Sequence, residues 1–117
     1  MLVLISIFLS LISFNNCAEL TLLDKESSIG RCLDGTVGGY YYEKYTEFKN
    51  KNKWVIYLEG GGECDNEELC KSKLTSSLGS SLYFANSSNS SGWYIGSNSC
   101  EYNPFLCTYT HVDIPYW

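Results

Sequence analysis

The chain has no excess of basic residues. Its 117 residues include 8 lysines and arginines but 13 aspartates and glutamates, and the formal net charge is −5. Nucleic acids and anionic lipid surfaces are bound through positive patches that attract phosphate groups. We therefore expect no nucleic-acid partner and no membrane contact driven by anionic lipids.

A long apolar run is also lacking. Residues 1–14 are apolar apart from serines, whereas a membrane-spanning helix needs about 20 apolar residues. This length is typical of the core of a secretory signal peptide, with Ala18 as a suitable last residue before cleavage; the alternative is a buried helix. We expect a signal peptide at residues 1–18, a mature chain at residues 19–117 that is secreted or endomembrane-luminal, and no stable membrane span.

Sequence motifs for metals and cofactors are missing. Paired C-x2-C steps, which would indicate a zinc site, do not occur. Asp65, Asn66, Glu67 and Glu68 form a cluster, but they lack the alternating oxygen spacing of a calcium loop. The glycines after Glu59 match only two positions of the dinucleotide fingerprint G-x-G-x-x-G, because Asp65 stands at the third. No P-loop Gly-Lys-Ser/Thr follows them. We expect neither a metal nor a cofactor.

The residues that are present predict strands and a helix. Residues 54–58 form a β-branched and aromatic run typical of a buried strand, and strands are also expected at residues 40–45 and 111–116. Asp65 can cap a helix, with Glu68 as its reciprocal partner. The helix would carry one apolar face and then stop at a glycine: Cys70, Leu74, Leu78 and Gly79. Strand, helix and strand in this order predict a βαβ crossover in a parallel sheet.

Gly60, Gly61 and Gly62 directly follow the strand at residues 54–58. Backbone without side chains can aim several N–H groups at one point, which suits a phosphate or an oxyanion. Because the phosphate motifs are absent, the remaining chemical interpretation is an oxyanion site like the glycine-rich loop of α/β-hydrolases. Three glycines by themselves are more often a tight turn without chemistry.

A set of segments carries a family resemblance. They are Cys32-Leu-Asp-Gly35 with Gly39-Tyr-Tyr41, residues 54–64, residues 70–75 with Leu78-Gly-Ser-Ser81, Asn103-Pro104, and Val112-Asp-Ile-Pro-Tyr116. In this order and approximate spacing they resemble the pectin acetylesterase/Notum family of secreted carboxylesterases. The resemblance implies the α/β class, with this chain as an incomplete N-terminal portion of an α/β-hydrolase-like sheet. It also implies a Ser-His-Asp ester hydrolase whose partner is an ester-bearing polysaccharide or an acylated protein.

The resemblance further implies that the catalytic residues are not in this chain. The family's nucleophile lies in a later Gly-x-Ser-Ala-Gly-Gly element, which does not occur here, and its Asp and His partners also come later. The single histidine, His111, is expected to be a packed or surface residue. Gly61 and Gly62 are the candidate oxyanion-hole donors, with Gly60 and Glu59 supporting the turn. We expect the chain alone to be inactive.

The cysteine count is odd once the leader is removed. Of the 6 cysteines, Cys17 lies in the leader, and an odd count in an oxidising compartment means a free thiol, an intermolecular bridge or a lost partner. Trp117 stands where the family has the cysteine that pairs with the one at Cys32. The resemblance thus implies an unpaired Cys32 and suggests an incomplete gene model. Glu63 stands where the family often has an aromatic residue.

Further expectations concern covalent modification. We predict the disulfide Cys64–Cys70, which would join the glycine turn to the first helical turn, and a second local disulfide, Cys100–Cys107. Asn86 and Asn89 each open an Asn-Ser-Ser glycosylation acceptor in a Ser/Asn-rich stretch.

Two last expectations concern surfaces. The strand at residues 111–116 should present an apolar edge and an uncovered face, so that the chain is poorly soluble and Cys32 forms mixed or intermolecular disulfides. The alternative function is a non-catalytic secreted carbohydrate-binding domain, with sugars stacking on four aromatic residues: Tyr40, Tyr41, Tyr42 and Trp93.

Overall fold

The computed structural model describes residues 17–44, 50, 52–88 and 96–116. Its strands are β1 (Ala18–Leu22), β2 (Gly39–Glu43), β3 (Trp54–Leu58), β4 (Ser87–Ser88) and β5 (Thr110–Ile114). One α-helix, α1 (Glu67–Lys73), follows β3, and a 3-10 helix spans Ser81–Tyr83. Within these ranges no helix is long and apolar enough to cross a membrane.

The strands form one mixed sheet in the order β3-β5-β2-β1-β4. β3 and β5 are parallel, as the βαβ prediction requires, and the other neighbouring strands are antiparallel. The predicted edge is wrong, because β5 lies between β3 and β2 and β3 is the edge strand. The sequence pattern could not show this order, since β2 and β5 are about 70 residues apart in the chain and pair only in the tertiary fold.

Only one face of β3 is buried. Val55 is buried, whereas Trp54, Ile56 and Leu58 are 52%, 64% and 69% exposed, which reflects the alternation of side chains between the two faces of a strand. Residues 54–58 were expected to be a buried strand; the bounds are correct, but the described elements cover a single face of it. Tyr42 on β2 stacks on Trp54, with ring centroids 6.1 Å apart.

Helix α1 begins one residue later than predicted and ends earlier. Asn66, not Asp65, is the N-cap, because its side chain accepts a hydrogen bond from the Leu69 N–H at 2.8 Å. The helix ends at Lys73 rather than running to Gly79. Hydroxyl groups after its middle bond to carbonyls three residues earlier and compete with the helical pattern: Ser72 to Leu69, Thr75 to Ser72, and Ser76 to Lys73.

β1 was not anticipated. Ala18 is buried, begins β1 and pairs with Ser88 of β4, while Glu19 pairs with Tyr42 of β2. The predicted signal peptide lies mostly outside the described residues, as do Asn89, Trp93 and Trp117, so these predictions stay open.

Candidate functional site

The glycine turn begins where the parallel pairing of β3 and β5 ends. The last bond of this pairing runs from the Glu59 N–H to the Ile114 carbonyl at 2.9 Å. Beyond it, the N–H groups of Gly60, Gly61 and Gly62 donate to no hydrogen bond within the described part of the chain, and the three residues are exposed. The turn therefore presents free backbone donors at the carboxyl edge of the sheet.

Close packing requires glycine at position 61, whereas at position 62 the nearby atoms belong to the flexible end of a lysine side chain. A Cβ at Gly61 would overlap the ring of Tyr116, and a Cβ at Gly62 would lie 3.1 Å from Nζ of Lys73. Nothing lies within 4 Å of a Cβ at Gly60. The backbone at Gly61 and Gly62 is thus held by neighbours from two other segments, the residues after β5 and the end of α1.

A disulfide joins the turn to α1. Cys64 and Cys70 are bonded, with their Cα atoms 5.2 Å apart, and the second predicted pair, Cys100 and Cys107, is bonded as well. The first bridge ties the residue two positions after Gly62 to the middle of α1. It restricts the backbone that carries the free N–H groups.

Two cavities flank the turn. One, of about 220 Å³, lies at the carboxyl ends of β3 and β5. The other, of about 240 Å³, lies between the turn, α1 and the loop before β2. It is lined by Arg31, Leu33, Gly62, Cys64, Lys73, Leu78 and Tyr116.

Two acidic residues lie at the carboxyl ends of the parallel strands, Glu59 directly after β3 and Asp113 near the end of β5. Burial raises the pKa of the Asp113 carboxyl above its ordinary value, and the negative charge of Glu59 raises it further. Asp113 Oδ1 is buried and has no hydrogen-bond partner among the described residues. Burial, followed by the charges of Asp113 and Glu59, also raises the pKa of Tyr41. Additional negative charge is therefore unfavourable next to Asp113.

The remaining described candidates, His111, Asn86 and Cys32, do not line either cavity beside the turn. His111 is buried, and its Nε2–H donates to the Leu106 carbonyl at 3.0 Å, as expected of a packed histidine. Asn86 is exposed. Cys32 is free and only 4% exposed, and this burial opposes the expectation of ready mixed disulfides, because exchange requires access to the thiolate.

The three consecutive tyrosines of β2 do not share one face. Tyr41 is buried and its hydroxyl donates to the Ala85 carbonyl at 2.8 Å. Tyr40 and Tyr42 point to the opposite face, where Tyr42 stacks on Trp54.

Sequence reasoning missed Lys73 and Tyr116, the residues that pack on the glycine turn. Lysine is rarely buried without a partner, so no pattern in the sequence predicts that Lys73 is buried. In the sequence, the Val112-Asp-Ile-Pro-Tyr116 segment is part of the family resemblance and predicts the end of a strand. Its contact with the turn could have been inferred from the parallel pairing, which brings the ends of β3 and β5 together.

Comparisons with known proteins agree with this architecture. The solved structure of the Wnt deacylase Notum from Drosophila superposes with a TM-score of 0.69 and 27% identity, over 87% of this chain and 28% of that one. The fold is thus part of an α/β-hydrolase-like sheet. The family described as pectinacetylesterase matches residues 13–117, and the chain belongs to this family.

Two relatives show how much of such a protein the chain represents. Pectin acetylesterase 4 of Arabidopsis thaliana is 33% identical over 103 residues, which cover 87% of this chain and 24% of the relative. The palmitoleoyl-protein carboxylesterase NOTUM of Schmidtea mediterranea is 39% identical over 88 residues, which cover 74% of this chain and 16% of the relative. The chain therefore spans about a quarter or less of the length of these relatives.

Proposed function

We propose that this chain carries the oxyanion-stabilising part of a secreted carboxylesterase that hydrolyses acyl or acetyl esters on carbohydrate or protein. The observation that carries the proposal is the exposed turn with N–H groups that have no partner in the described chain. Gly61 and Gly62 are the proposed donors. Fixed N–H groups stabilise the negative oxygen of a tetrahedral intermediate, because they need no reorganisation when the charge develops.

The surroundings of the turn support this role. The hydrogen bond from Glu59 to Ile114 anchors its start, and the disulfide from Cys64 to Cys70 anchors its end. Tyr116 limits movement of Gly61 from the side. Preorganisation of this kind is what distinguishes an oxyanion hole from an ordinary turn.

In this proposal the chain holds no catalytic Ser-His-Asp set. No Gly-x-Ser-x-Gly element occurs in the sequence, and the imidazole of His111 is buried against the Leu106 carbonyl. The coverage of 24% and 16% of two relatives is consistent with a triad that lies in the part of those proteins without a counterpart here. Hydrolysis then requires residues beyond those of this chain.

The proposed substrates follow the names of the relatives. A pectin acetylesterase, by its name, removes acetyl groups from pectin, and a palmitoleoyl-protein carboxylesterase acts on an acylated protein. Secretion through a signal peptide at residues 1–18 and glycosylation at Asn86 and Asn89 belong to the same proposal. The two disulfides, typical of oxidising compartments, support it.

A chimera tests the proposal. The matched segment of the Arabidopsis enzyme is replaced by this chain, and hydrolysis of an acetyl ester is measured. We expect an active chimera whose kcat falls by up to about 100-fold with Gly61→Ala, because the added Cβ overlaps the Tyr116 ring and displaces the N–H donor that alanine still carries. An Asp65→Asn variant, altered at an exposed residue outside the turn, serves as the control. An unaffected kcat in Gly61→Ala would refute the oxyanion role, and inhibitor-sensitive turnover by the 117-residue chain alone would refute the missing triad.

A further inference from the structure

The edge strand β3 directs the backbone groups of three residues away from the described sheet. On the inner side of β3, the Glu59 N–H donates to the Ile114 carbonyl and the Lys53 carbonyl accepts from the Thr110 N–H, both at 2.9 Å. In a parallel pair every second residue directs both its backbone groups to the same neighbour, so the odd-numbered residues from 53 to 59 face β5. Residues 54, 56 and 58 therefore direct their N–H and carbonyl groups to the outer side, where the described sheet has no strand.

The same three residues carry exposed apolar side chains. Trp54, Ile56 and Leu58 are each more than half exposed and lie on one face of β3. An edge with unpaired backbone groups and an apolar face is a template for a further strand. A strand added here would pair with the outward backbone groups and would also place its own side chains beside the apolar row.

Opposite charges flank the two ends of β3. Lys53 directly precedes the strand and Glu59 directly follows it, and both residues are exposed. Neither forms an ion pair with a described residue; the Lys53 ammonium group lies over the ring of Tyr109, 5.3 Å from its centroid. A second β3 strand that runs antiparallel to the first would bring its lysine to the glutamate end, and its glutamate to the lysine end.

We propose that two copies of this chain pair through antiparallel β3 strands, around a twofold axis at Ile56. Ile56 then faces Ile56 of the second copy, and Trp54 faces Leu58, so all the outward-directed residues pair with one another. Lys53 faces Glu59 of the second copy at both ends, as a self-complementary twofold interface requires. A shift of the register by two residues would leave one outward residue of each strand, and both charges, without these partners.

The inference stands on β3 and not on ester hydrolysis, so an association experiment tests it independently of the proposed function. Sedimentation equilibrium of the 117-residue chain at low ionic strength should give a monomer–dimer equilibrium. Lys53→Glu and Glu59→Lys should each raise the dimer dissociation constant at least about tenfold, because like charges then lie directly opposite each other at both ends. The double variant Lys53→Glu/Glu59→Lys should regain the dissociation constant of the parent chain, since it restores opposite charges.

A mixture of the two single variants provides the sharpest test. Lys53→Glu and Glu59→Lys should form a heterodimer more tightly than either forms a homodimer, because opposite charges then meet at both ends. A merely structural effect of either substitution would not be reversed by mixing. This readout also separates the proposed register from a non-specific contact between apolar rows.

Lys25→Glu and Glu68→Lys are the matched controls, because they change the net charge equally at exposed residues that are not on β3. Both should associate as the parent chain does. Thermal unfolding monitored by circular dichroism verifies that each variant is folded. A monomeric parent chain, association that the charge changes at Lys53 and Glu59 do not alter, or single variants that gain no affinity on mixing would each overturn the inference.

Discussion

The ring of Tyr116 lies against the Cα of Gly61, in the space that a Cβ at that position would occupy. Tyr116 comes two residues after β5, and Gly61 comes three residues after β3, so the contact joins the two chain segments that leave the parallel strands. It fixes the glycine turn from the side of the sheet. The contact explains why the middle residue of the turn has to be glycine.

Replacement of Gly61 and Gly60 by alanine should therefore have opposite effects. Gly61→Ala forces the Tyr116 ring to move, and overpacking of this kind typically costs about 1–3 kcal/mol. Gly60→Ala meets no atom within 4 Å, and a glycine replaced at a compatible position gains about 0.4–1 kcal/mol through the unfolded state. Chemical denaturation of the two variants measures the difference. Equal stability of both would contradict the packing of Tyr116 on the turn.

Removal of the disulfide that follows the turn should destabilise the chain. For a loop as short as that between Cys64 and Cys70, the chain-entropy model gives about 2–2.5 kcal/mol, which the double variant to serine should lose. The disulfide Cys100–Cys107 closes a loop of similar length, so the double variant that lacks it should lose a similar amount. Peptide mapping under non-reducing conditions checks the connectivity, and any other partner for Cys64 contradicts it.

Asp113 should make stability depend on pH. Its folded pKa is raised above 3.8, by burial first and then by Glu59, so the folded state favours the protonated form. Its contribution to stability is fully present below pH 3.8 and is lost as the pH rises through the folded pKa. Asp113→Asn should therefore raise Tm at pH 7, and this gain should shrink toward pH 3.8.

Asp24→Asn provides a control of opposite sign for this pH dependence. The hydrogen bond from the Ser27 side chain, followed by that from the Glu26 N–H, lowers the pKa of Asp24. Its contribution is present above pH 3.8 and is lost as the pH falls through the folded pKa. Asp24→Asn should lower Tm at pH 7 but not at low pH. The prediction for Asp113 itself would be contradicted if the Tm of Asp113→Asn equalled that of the parent chain at every pH. The folded state would then not disfavour the ionised form of Asp113.

The exposed side chains of β3, namely Trp54, Ile56 and Leu58, should cause the 117-residue chain to self-associate. They form a contiguous apolar row on an edge strand, and such surfaces promote association. Ile56→Lys should raise the monomer fraction in analytical ultracentrifugation. Ile29→Lys is the control, because Ile29 is 99% exposed but lies in a loop and not on β3. A parent chain that is monomeric at high concentration would rule this out.

The thiol of Cys32 should react only when the chain opens. Its Sγ lies 3.7 Å from the Val37 carbonyl oxygen, and the residue is buried. Modification by a thiol reagent should be slow in buffer and should accelerate in denaturant in parallel with unfolding. Rapid reaction of the folded chain would instead support the mixed disulfides expected from the sequence.

The local parts of the fold could be predicted from the sequence. The strand at Trp54–Leu58 has the predicted bounds, because a β-branched and aromatic run that ends at glycines is a short-range signal. The cap of α1 was misplaced by one residue because Asp65 and Asn66 are both good caps. Only the observed bond from the Leu69 N–H to Asn66 distinguishes them.

The parts of the site that depend on long-range contacts could not be predicted. Lysine is a residue type that is usually exposed, and Lys73 is buried only because α1 approaches the glycine turn. β1 lacks a strong strand pattern and is stabilised by pairing with β2 and β4. The glycine turn is visible in the sequence because glycines after a strand are a local pattern, whereas the neighbours that hold the turn come from distant segments.

The position of β5 also determines the order in which the sheet can assemble. β5 is the last described strand in the chain, yet it pairs with β2 on one side and β3 on the other. Until it is synthesised, β3 has no described neighbour and the β2-β1-β4 part is a separate antiparallel unit. In a nascent chain, the backbone groups of β3 that pair with β5 would thus have no described partner until Thr110–Ile114 leaves the ribosome. Non-local pairing of this kind slows folding, so chaperone dependence during translation should be greatest before β5 emerges.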